Sequence, residues 1–481
     1  MAPLFLAVLF VVSPLRALAN DSTDLWPVGP QTSVKAALVM DVSTGVVLYR
    51  KDAYSPYAPA NISQLMTSLI ALEFCDLNDK MTMTANAETS VSGSRVGLTR
   101  GESITIESAL YGILLASGNE IAYGLAEHIS GTKDAFVTAM NTRAEELGCT
   151  GTNFTSPHGE DNDKHYTCAY DMGLIAREIF KHPEFRLIAG TRTYTIPATD
   201  KKEARPIANK HLMVKKTYQY SFAVAGKVGY SKPAGYTGVT FAEKDGKTIL
   251  CVILGASTEN ALYDETKALC NWCFENFKSY NIQENELGGN ATFSALFNET
   301  KQFAVTETDP IIGIDSKSTV VVPAGVDFKD ITKRVDFKEI ENYYHGENVI
   351  GTINYSFGGI YVGSAEIIFY NEGYPLNPQT FLERWPKFLF SVDEAFSEAH
   401  ISLLEKYDKY GIVTPTPPPN PTKIVTPTPE PTRGPVNPDY LEVSKFKKTV
   451  IICSGLAVLV ILGVLYLVAF EIPYRKKHKD W

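Results

Sequence analysis

Hydrophobic spacing divides the first half of the chain into strands, a helical block and further strands. Two β-type runs flank the turn sequence DVSTG and predict a hairpin that begins near Lys35. Helical spacing dominates residues 63–182, and β-type runs return after Arg192, with a hairpin turn at 244–246. An apolar helix over Glu259–Asn276 closes the segment. This order predicts an α+β unit in which helices cover one or both faces of an antiparallel sheet.

The second half of the chain contains several segments that differ in residue pattern and composition. Short β-type runs and glycine turns predict a small all-β domain over residues 283–375, and residues 387–410 form an amphipathic helical pattern. Residues 413–439 are rich in proline and threonine and cannot bury a core, so an extended polyproline conformation is favoured. At ~3.1 Å per residue, such a stalk holds a folded domain up to roughly 80 Å from its anchor.

Both ends of the chain carry membrane signals. Residues 1–19 combine an apolar run with a small-residue Ala17-x-Ala19 site, which predicts a secretory signal peptide; a short buried helix is the alternative. Residues 449–470 contain no charge and as a helix would span roughly 33 Å, enough to cross a bilayer. We therefore expect a single-pass protein of the cell membrane with extracellular folded domains and a cytoplasmic tail at 471–481.

Composition and charge narrow the possible functions. The chain is 44% hydrophobic, which is typical of globular proteins, and its net charge of −9 argues against nucleic-acid binding. Seven cysteines in so long a chain do not indicate a disulfide framework. Cys270 and Cys273 form a C-x-x-C string, but no second such pair follows, and a helix face explains the spacing better than a metal or redox site. We expect no metal or organic cofactor.

Three stretches of the first domain carry the candidate chemistry. They are PANISQLMTSLIALE, which contains Asn61 and Gln64, then Ser117-Gly-Asn119 at the start of a helical run, and Lys227-Val-Gly229 entering a strand. In isolation the second would be an ordinary turn and the third a solvated strand. In this order, with LVMDVSTGVVLYRKDA and GYSKPAGYTGVTF, they resemble the low-mass penicillin-binding proteins, the serine-type D-Ala-D-Ala carboxypeptidases. The resemblance covers roughly residues 33–280.

This resemblance implies a fold and a chemistry. The fold is a β-lactamase- or penicillin-binding-protein-like domain, with an antiparallel sheet and a helical subdomain, followed by a small all-β domain. The chemistry uses an S-x-x-K motif at the start of a helix, in which the serine attacks the D-Ala-D-Ala carbonyl and the lysine accepts its proton. The S-x-N serine relays protons and its asparagine holds the substrate amide, while the K-T-G lysine binds the terminal carboxylate.

The sequence departs from this pattern at the reactive positions. Asn61 stands at the nucleophile position and Gln64 at the base position, and neither side chain can attack a carbonyl or accept a proton there. Val228 replaces the hydroxyl residue of the third motif. The substrate-binding residues Ser117, Asn119, Lys227 and Gly229 are retained.

Nearby serines offer no obvious replacement for the missing nucleophile. Ser63 follows Asn61 by two residues, about 200° around the helix, and therefore faces away from that position. Two literal S-x-x-K strings begin at Ser130 and Ser444, the first at a helix junction and the second beside the predicted membrane span.

We therefore predict a pseudoenzyme that binds or scaffolds at peptidoglycan stem peptides in the cell wall, or weakly at β-lactam-like ligands. One alternative is an active serine-type carboxypeptidase that uses a non-standard site. The other is a protein-interaction scaffold with a vestigial cleft, whose cell-envelope partners dock on residues 283–375 or 387–410.

Overall fold

The computed structural model describes residues 26–286, 312–338 and 346–371. The strands of the first range are β1 (Ala36–Asp41), β2 (Val47–Lys51), β3 (Lys80–Thr82), β4 (Ser103–Thr105), β5 (Thr193–Ile196), β6 (Arg205–Ala208), β7 (Ala223–Ser231), β8 (Gly235–Lys244), β9 (Lys247–Ala256) and β10 (Phe277–Asn281). The helices are α1 (Gln64–Phe74), α2 (Ala85–Thr89), α3 (Ile106–Leu114), α4 (Asn119–Ser130), α5 (Lys133–Glu146), α6 (Ala169–Ile179), α7 (Pro183–Ala189), α8 (Leu212–Lys215), α9 (Glu259–Asn276) and α10 (Ile282–Glu286).

The central sheet is antiparallel, with strand order β2-β1-β9-β8-β7. The first hairpin pairs Ala37 with Lys51 across the DVSTG turn, as the sequence predicts. The turn between β8 and β9 is closed by the pair Lys244–Lys247. Its two central residues, Asp245 and Gly246, both have positive φ (50° and 76°), which suits the twist of a tight hairpin. Strand β7 lies at the edge of the sheet, where it borders the candidate site.

Both faces of this sheet are buried. Along β1, Ala36, Leu38 and Met40 join the core formed with α1 and α3 to α7, while Ala37 and Val39 join the core formed with α9. Successive strand residues point to opposite faces, so a fully buried strand needs cover on both sides. The predicted α+β architecture is confirmed, and helices lie on both faces of the sheet rather than on one.

The C-x-x-C string lies on the buried face of α9. Cys270 and Cys273 are fully buried and pack in the same core as Cys251 of β9. Burial raises the pKa of Cys273 well above its usual value, which keeps this thiol protonated. Within residues 26–286, 312–338 and 346–371, no cluster of three or more His, Cys, Asp or Glu residues is suited to a metal ion.

A second antiparallel sheet follows. Its further strands are β11 (Ile312–Ile314), β12 (Thr319–Pro323), β13 (Thr332–Phe337), β14 (Gly346–Phe357) and β15 (Ile360–Asn371). The order is β10-β12-β15-β14-β13, with β11 also pairing β15. The predicted all-β region is therefore present. Strand β10 directly follows α9 and pairs with β12, so the second sheet begins at Phe277. The domain limits 33–280 and 283–375 stay predictions.

Several predicted segments lie outside the described residues. These are the signal peptide at 1–19, the helical stretch 387–410, the stalk 413–439, the membrane span 449–470 and the tail 471–481. Among the helices that the structure describes, none is long and apolar enough to cross a membrane.

Candidate active site

Asn61 lies on a 3₁₀ turn, Ala60–Ser63, that leads directly into α1. Two glycines allow other backbone segments to approach this turn closely. A Cβ on Gly159, whose φ is +87°, would lie 2.0 Å from the carbonyl oxygen of Ala60, and one on Gly229 would lie 2.7 Å from the amide nitrogen of Asn61. Any side chain at these positions would displace the turn. Gly229 thus keeps β7 against the backbone of the former nucleophile position.

The two carboxamides that replace the reactive pair share their hydrogen-bond acceptors. Asn61 Nδ2 donates to Asn119 Oδ1 at 2.9 Å and to the carbonyl oxygen of His158 at 3.0 Å. Gln64 Nε2 donates to the same two oxygens at 3.0 and 3.4 Å. Gln64 is fully buried and Asn61 half-buried. A spacing of three residues places both on one helix face, but neither amide accepts a proton near neutral pH.

Asn119 is the centre of this network. It is the first residue of α4, its backbone N–H donates to the carbonyl oxygen of Ser94 at 2.9 Å, and its Nδ2 donates to that of Ser92 at 2.6 Å. Ser117, two residues earlier, has a φ of +57°, which is uncommon for a residue with a side chain. The Ser-Gly-Asn stretch is thus a tight connection between α3 and α4 that faces the turn carrying Asn61.

The structure joins the second and third motifs. Lys227 Nζ donates to Ser117 Oγ at 2.6 Å, and both residues are only 1% exposed. Burial, together with repulsion from Lys210, holds the pKa of Lys227 well below its usual value. Lys210 Nζ itself donates to Ser94 Oγ at 2.6 Å. Partial burial of its ammonium lowers the pKa of Lys210, although the residue as a whole is exposed.

Val228 contributes no polar group to the site. Its side chain is half-buried and packs with the α9-side core, and its Cγ1 lies 3.5 Å from the point where a Cβ of Gly238 would be. The hydroxyl of Thr237, on the neighbouring strand, is already used: it donates to the carbonyl oxygen of Pro59 at 2.9 Å. Within the described residues, neither position offers a free hydroxyl to a carboxylate.

Ser63 has a histidine partner, but in the wrong protonation pattern for catalysis. The backbone N–H of Thr155 donates to His165 Nδ1 at 2.9 Å, so Nε2 carries the ring proton and donates it to Ser63 Oγ at 2.8 Å. Ser63 in turn donates to the carbonyl oxygen of Ala60 at 3.0 Å. Burial, with a smaller contribution from His158, lowers the pKa of His165 to about 4. Because Nε2 already carries a proton, this histidine cannot remove the proton of Ser63. Ser63 is itself fully buried.

The S-x-x-K string that begins at Ser130 lies at the junction of two helices. Ser130 ends α4 and Lys133 begins α5, where its ammonium pairs with Asp134 at 3.0 Å. The string that begins at Ser444 lies outside the described residues.

Comparison with known proteins gives the family. Residues 24–258 match the family model described as D-alanyl-D-alanine carboxypeptidase. The chain is 30% identical over 311 residues to the D-alanyl-D-alanine carboxypeptidase DacF of Bacillus subtilis, and the alignment covers 63% of this chain and 76% of that relative. The chain belongs to the D-alanyl-D-alanine carboxypeptidase family. It is also 30% identical over 260 residues to DacB2 of Mycobacterium tuberculosis, covering 52% of this chain and 87% of that one.

Solved structures agree with the fold. The structure resembles penicillin-binding protein 5 from Haemophilus influenzae with a TM-score of 0.55 and 23% identity, covering 72% of this chain and 98% of that chain. It resembles the D-alanyl-D-alanine carboxypeptidase DacD from Francisella tularensis with a TM-score of 0.53 and 19% identity, covering 72% and 94%. The penicillin-binding-protein-like fold implied by the motifs is confirmed.

Sequence reasoning missed two contributors to this carboxypeptidase-like site. His158 contributes its backbone carbonyl, which accepts a hydrogen bond from Asn61. Its ring is buried and has no hydrogen bond within the described part of the chain, and burial lowers the pKa of the ring to about 4. Lys210 approaches Lys227 from the segment IANKHLM. The segment IANKHLM resembles a late strand of the carboxypeptidase family, and this resemblance is the sequence signal that points to Lys210.

Proposed function

We propose that this chain is a pseudoenzyme of the D-alanyl-D-alanine carboxypeptidase family that binds peptidoglycan stem peptides without hydrolysing them. It is secreted, remains tethered by residues 449–470, and works on the wall side of the cell membrane at the end of its stalk. The role follows from a retained binding framework combined with a missing nucleophile and base.

The observation that carries this proposal is the pair of carboxamides at Asn61 and Gln64. Both amide nitrogens donate to Asn119 Oδ1, so the two side chains form part of a fixed hydrogen-bond network. An acyl transfer needs a nucleophile and a group that takes its proton, and carboxamides supply neither. Ser117, Asn119 and Lys227 remain in contact with one another or with this network, which supports continued peptide binding.

A second candidate function rests on one specific contact. Lys227 Nζ lies 2.6 Å from Ser117 Oγ, and its pKa is lowered, which is the arrangement of a serine activated by a lysine base. On this alternative the protein is an active hydrolase with Ser117 as its nucleophile. The direction of the hydrogen bond argues against it, because Lys227 Nζ donates to Ser117 Oγ, whereas a base would have to accept the proton of the serine.

The test uses full-length protein purified in a non-ionic detergent and a diacetylated L-Lys-D-Ala-D-Ala tripeptide. Calorimetry should show binding, while an assay for free D-alanine should show no release under conditions in which Bacillus subtilis DacF is active. Lys227→Ala should weaken binding, whereas Asn86→Ala, which removes an exposed carboxamide on α2, should not. Release of D-alanine would contradict the pseudoenzyme, and absence of binding would favour a scaffold with a vestigial cleft.

The membrane tether is tested separately. Deleting residues 449–481 from the expressed gene should move the protein from the membrane fraction to the culture medium. Retention of the shortened protein in the cytoplasm would contradict secretion, and its retention in the membrane would contradict anchoring by this segment.

A further inference from the structure

Strand β7 is covered by helix α7 at its beginning and is open at its end. Gly190, the residue after α7, approaches the strand so closely that a Cβ there would lie 2.6 Å from the carbonyl oxygen of Val224. Lys227 and Gly229 are buried, whereas Tyr230, near the end of the strand, is 56% exposed. A peptide whose D-alanyl end lies at Lys227 therefore has its open path along β7 towards Tyr230.

The open end of β7 carries a pair of tyrosine rings. Tyr230 lies opposite Tyr236 in the β7–β8 hairpin, and the two ring centroids are 4.5 Å apart with their planes tilted by 42°. Tyr236 is half-buried and packs with the α9-side core, so it supports the more exposed ring of Tyr230 from one side. An exposed aromatic ring held in this way offers a ligand a large contact area of fixed orientation.

The turn beyond Tyr230 is held by side-chain hydrogen bonds. Ser231 Oγ donates to Asp161 Oδ1 at 2.7 Å and accepts from the backbone N–H of Ala234 at 3.2 Å. Because these contacts already order the end of the hairpin, a ligand that binds there loses little free energy to ordering the protein.

The spacing of Lys227 and Tyr230 determines which part of a ligand Tyr230 meets. Tyr230 follows Lys227 by three residues, so it lies about 10 Å further along the strand and on its opposite face. It therefore does not line the pocket of Lys227 and Ser117. An extended pentapeptide spans about 17 Å, so its amino end passes Tyr230 and leaves the strand near the turn. In peptidoglycan that end carries the glycan strand, and the apolar C–H face of a sugar ring packs on an aromatic ring.

We propose that Tyr230, supported by Tyr236, binds a sugar ring of the glycan strand, so that the protein recognises stem peptides that are still attached to their sugars. This inference rests on the proposed function, since it adds a sugar subsite to the stem-peptide site.

The experiment compares two ligands that differ only in their sugars. A peptidoglycan disaccharide-pentapeptide and the same pentapeptide without the disaccharide are titrated calorimetrically into full-length protein in detergent. We expect the sugar-bearing ligand to bind about fivefold more tightly, the scale of one ring-on-ring contact. In Tyr230→Ala the ratio of the two dissociation constants should fall towards one, whereas Tyr230→Phe, which keeps the ring, should preserve it. Phe74→Ala removes another exposed ring, 72% exposed at the end of α1, and should keep the wild-type ratio.

The outcomes separate this inference from the proposed function. If both ligands bind the wild-type protein equally well, the sugar subsite is wrong while stem-peptide binding stands. If neither ligand binds, both the inference and the proposed function fail. If Tyr230→Ala weakens both ligands by the same factor, the ring contacts the peptide or only stabilises the hairpin, and the assignment to a sugar is wrong. The wild-type comparison decides the matter even if Tyr230→Ala does not fold.

Discussion

Replacing Asn119 by alanine tests the network at its centre. The Asn119 side chain accepts hydrogen bonds from Asn61 at 2.9 Å and Gln64 at 3.0 Å, and donates one to Ser92 at 2.6 Å. A typical intramolecular hydrogen bond contributes about 0.5–1.5 kcal/mol, so three together contribute about 1.5–4.5 kcal/mol. The residue is 7% exposed, which leaves little room for water to replace them. We expect Asn119→Ala to lower the free energy of unfolding by about 3 kcal/mol.

Urea unfolding followed by circular dichroism measures this loss from the shift in midpoint at unchanged slope. At about 2–4 °C per kcal/mol for a domain of this size, Tm should also fall by roughly 6–12 °C. Asn86→Ala is the control, because its exposed carboxamide makes one solvent-screened hydrogen bond, to Glu127 Oε1 at 3.1 Å, and its loss should change stability by less than about 1 kcal/mol. A loss below about 1 kcal/mol for Asn119→Ala would refute the reasoning that these bonds hold the site together.

Three further predictions follow from the same contacts. Gln64→Leu removes two hydrogen bonds, one of them long at 3.4 Å, and also removes one buried acceptor without a donor, so urea unfolding should give a change within about 1 kcal/mol. A loss as large as that of Asn119→Ala would contradict this cancellation. In the folded protein the pKa values of His158 and His165 are lowered to about 4, below the usual value of about 6.5. As the pH falls, the unfolded state therefore takes up these protons at a higher pH than the folded state does. Stability should therefore be full at pH 7 and fall as the pH drops from about 6.5 to 4, and a urea midpoint that does not change over this range would rule out that linkage. The double variant Asn61→Ser/Gln64→Lys should gain a covalent penicillin adduct by mass spectrometry while each single variant does not, because the reaction needs both nucleophile and base; an adduct on the single serine variant would show that the lysine is dispensable.

The fold could be predicted because its signals are local. Turn sequences such as DVSTG set the first hairpin, and the limits of α9, Glu259–Asn276, follow from apolar spacing along one segment. Whether helices cover one face of the sheet or both cannot be read from local patterns, because it depends on the packing of α9 against β1 and β9 in the folded chain. The family resemblance supplied the overall architecture that periodicity leaves open.

The sequence predicts only part of the candidate site. Motif order placed Asn61, Gln64, Asn119 and Lys227 near one another, and the structure joins Lys227 to Ser117 directly. One of the two acceptors that bind both carboxamides is a backbone carbonyl, that of His158, and every residue type carries one. No pattern of side chains can mark such a group. The orientation of the amides likewise follows from three-dimensional contacts alone.

The most direct measurement is intact-mass analysis of the full-length protein after incubation with a fluorescent penicillin, beside Bacillus subtilis DacF as the positive control. If Asn61 and Gln64 have removed the chemistry, DacF gains one adduct and this protein keeps its unlabelled mass. A stoichiometric adduct would contradict the pseudoenzyme, and peptide mapping would show whether the acylated residue is Ser117.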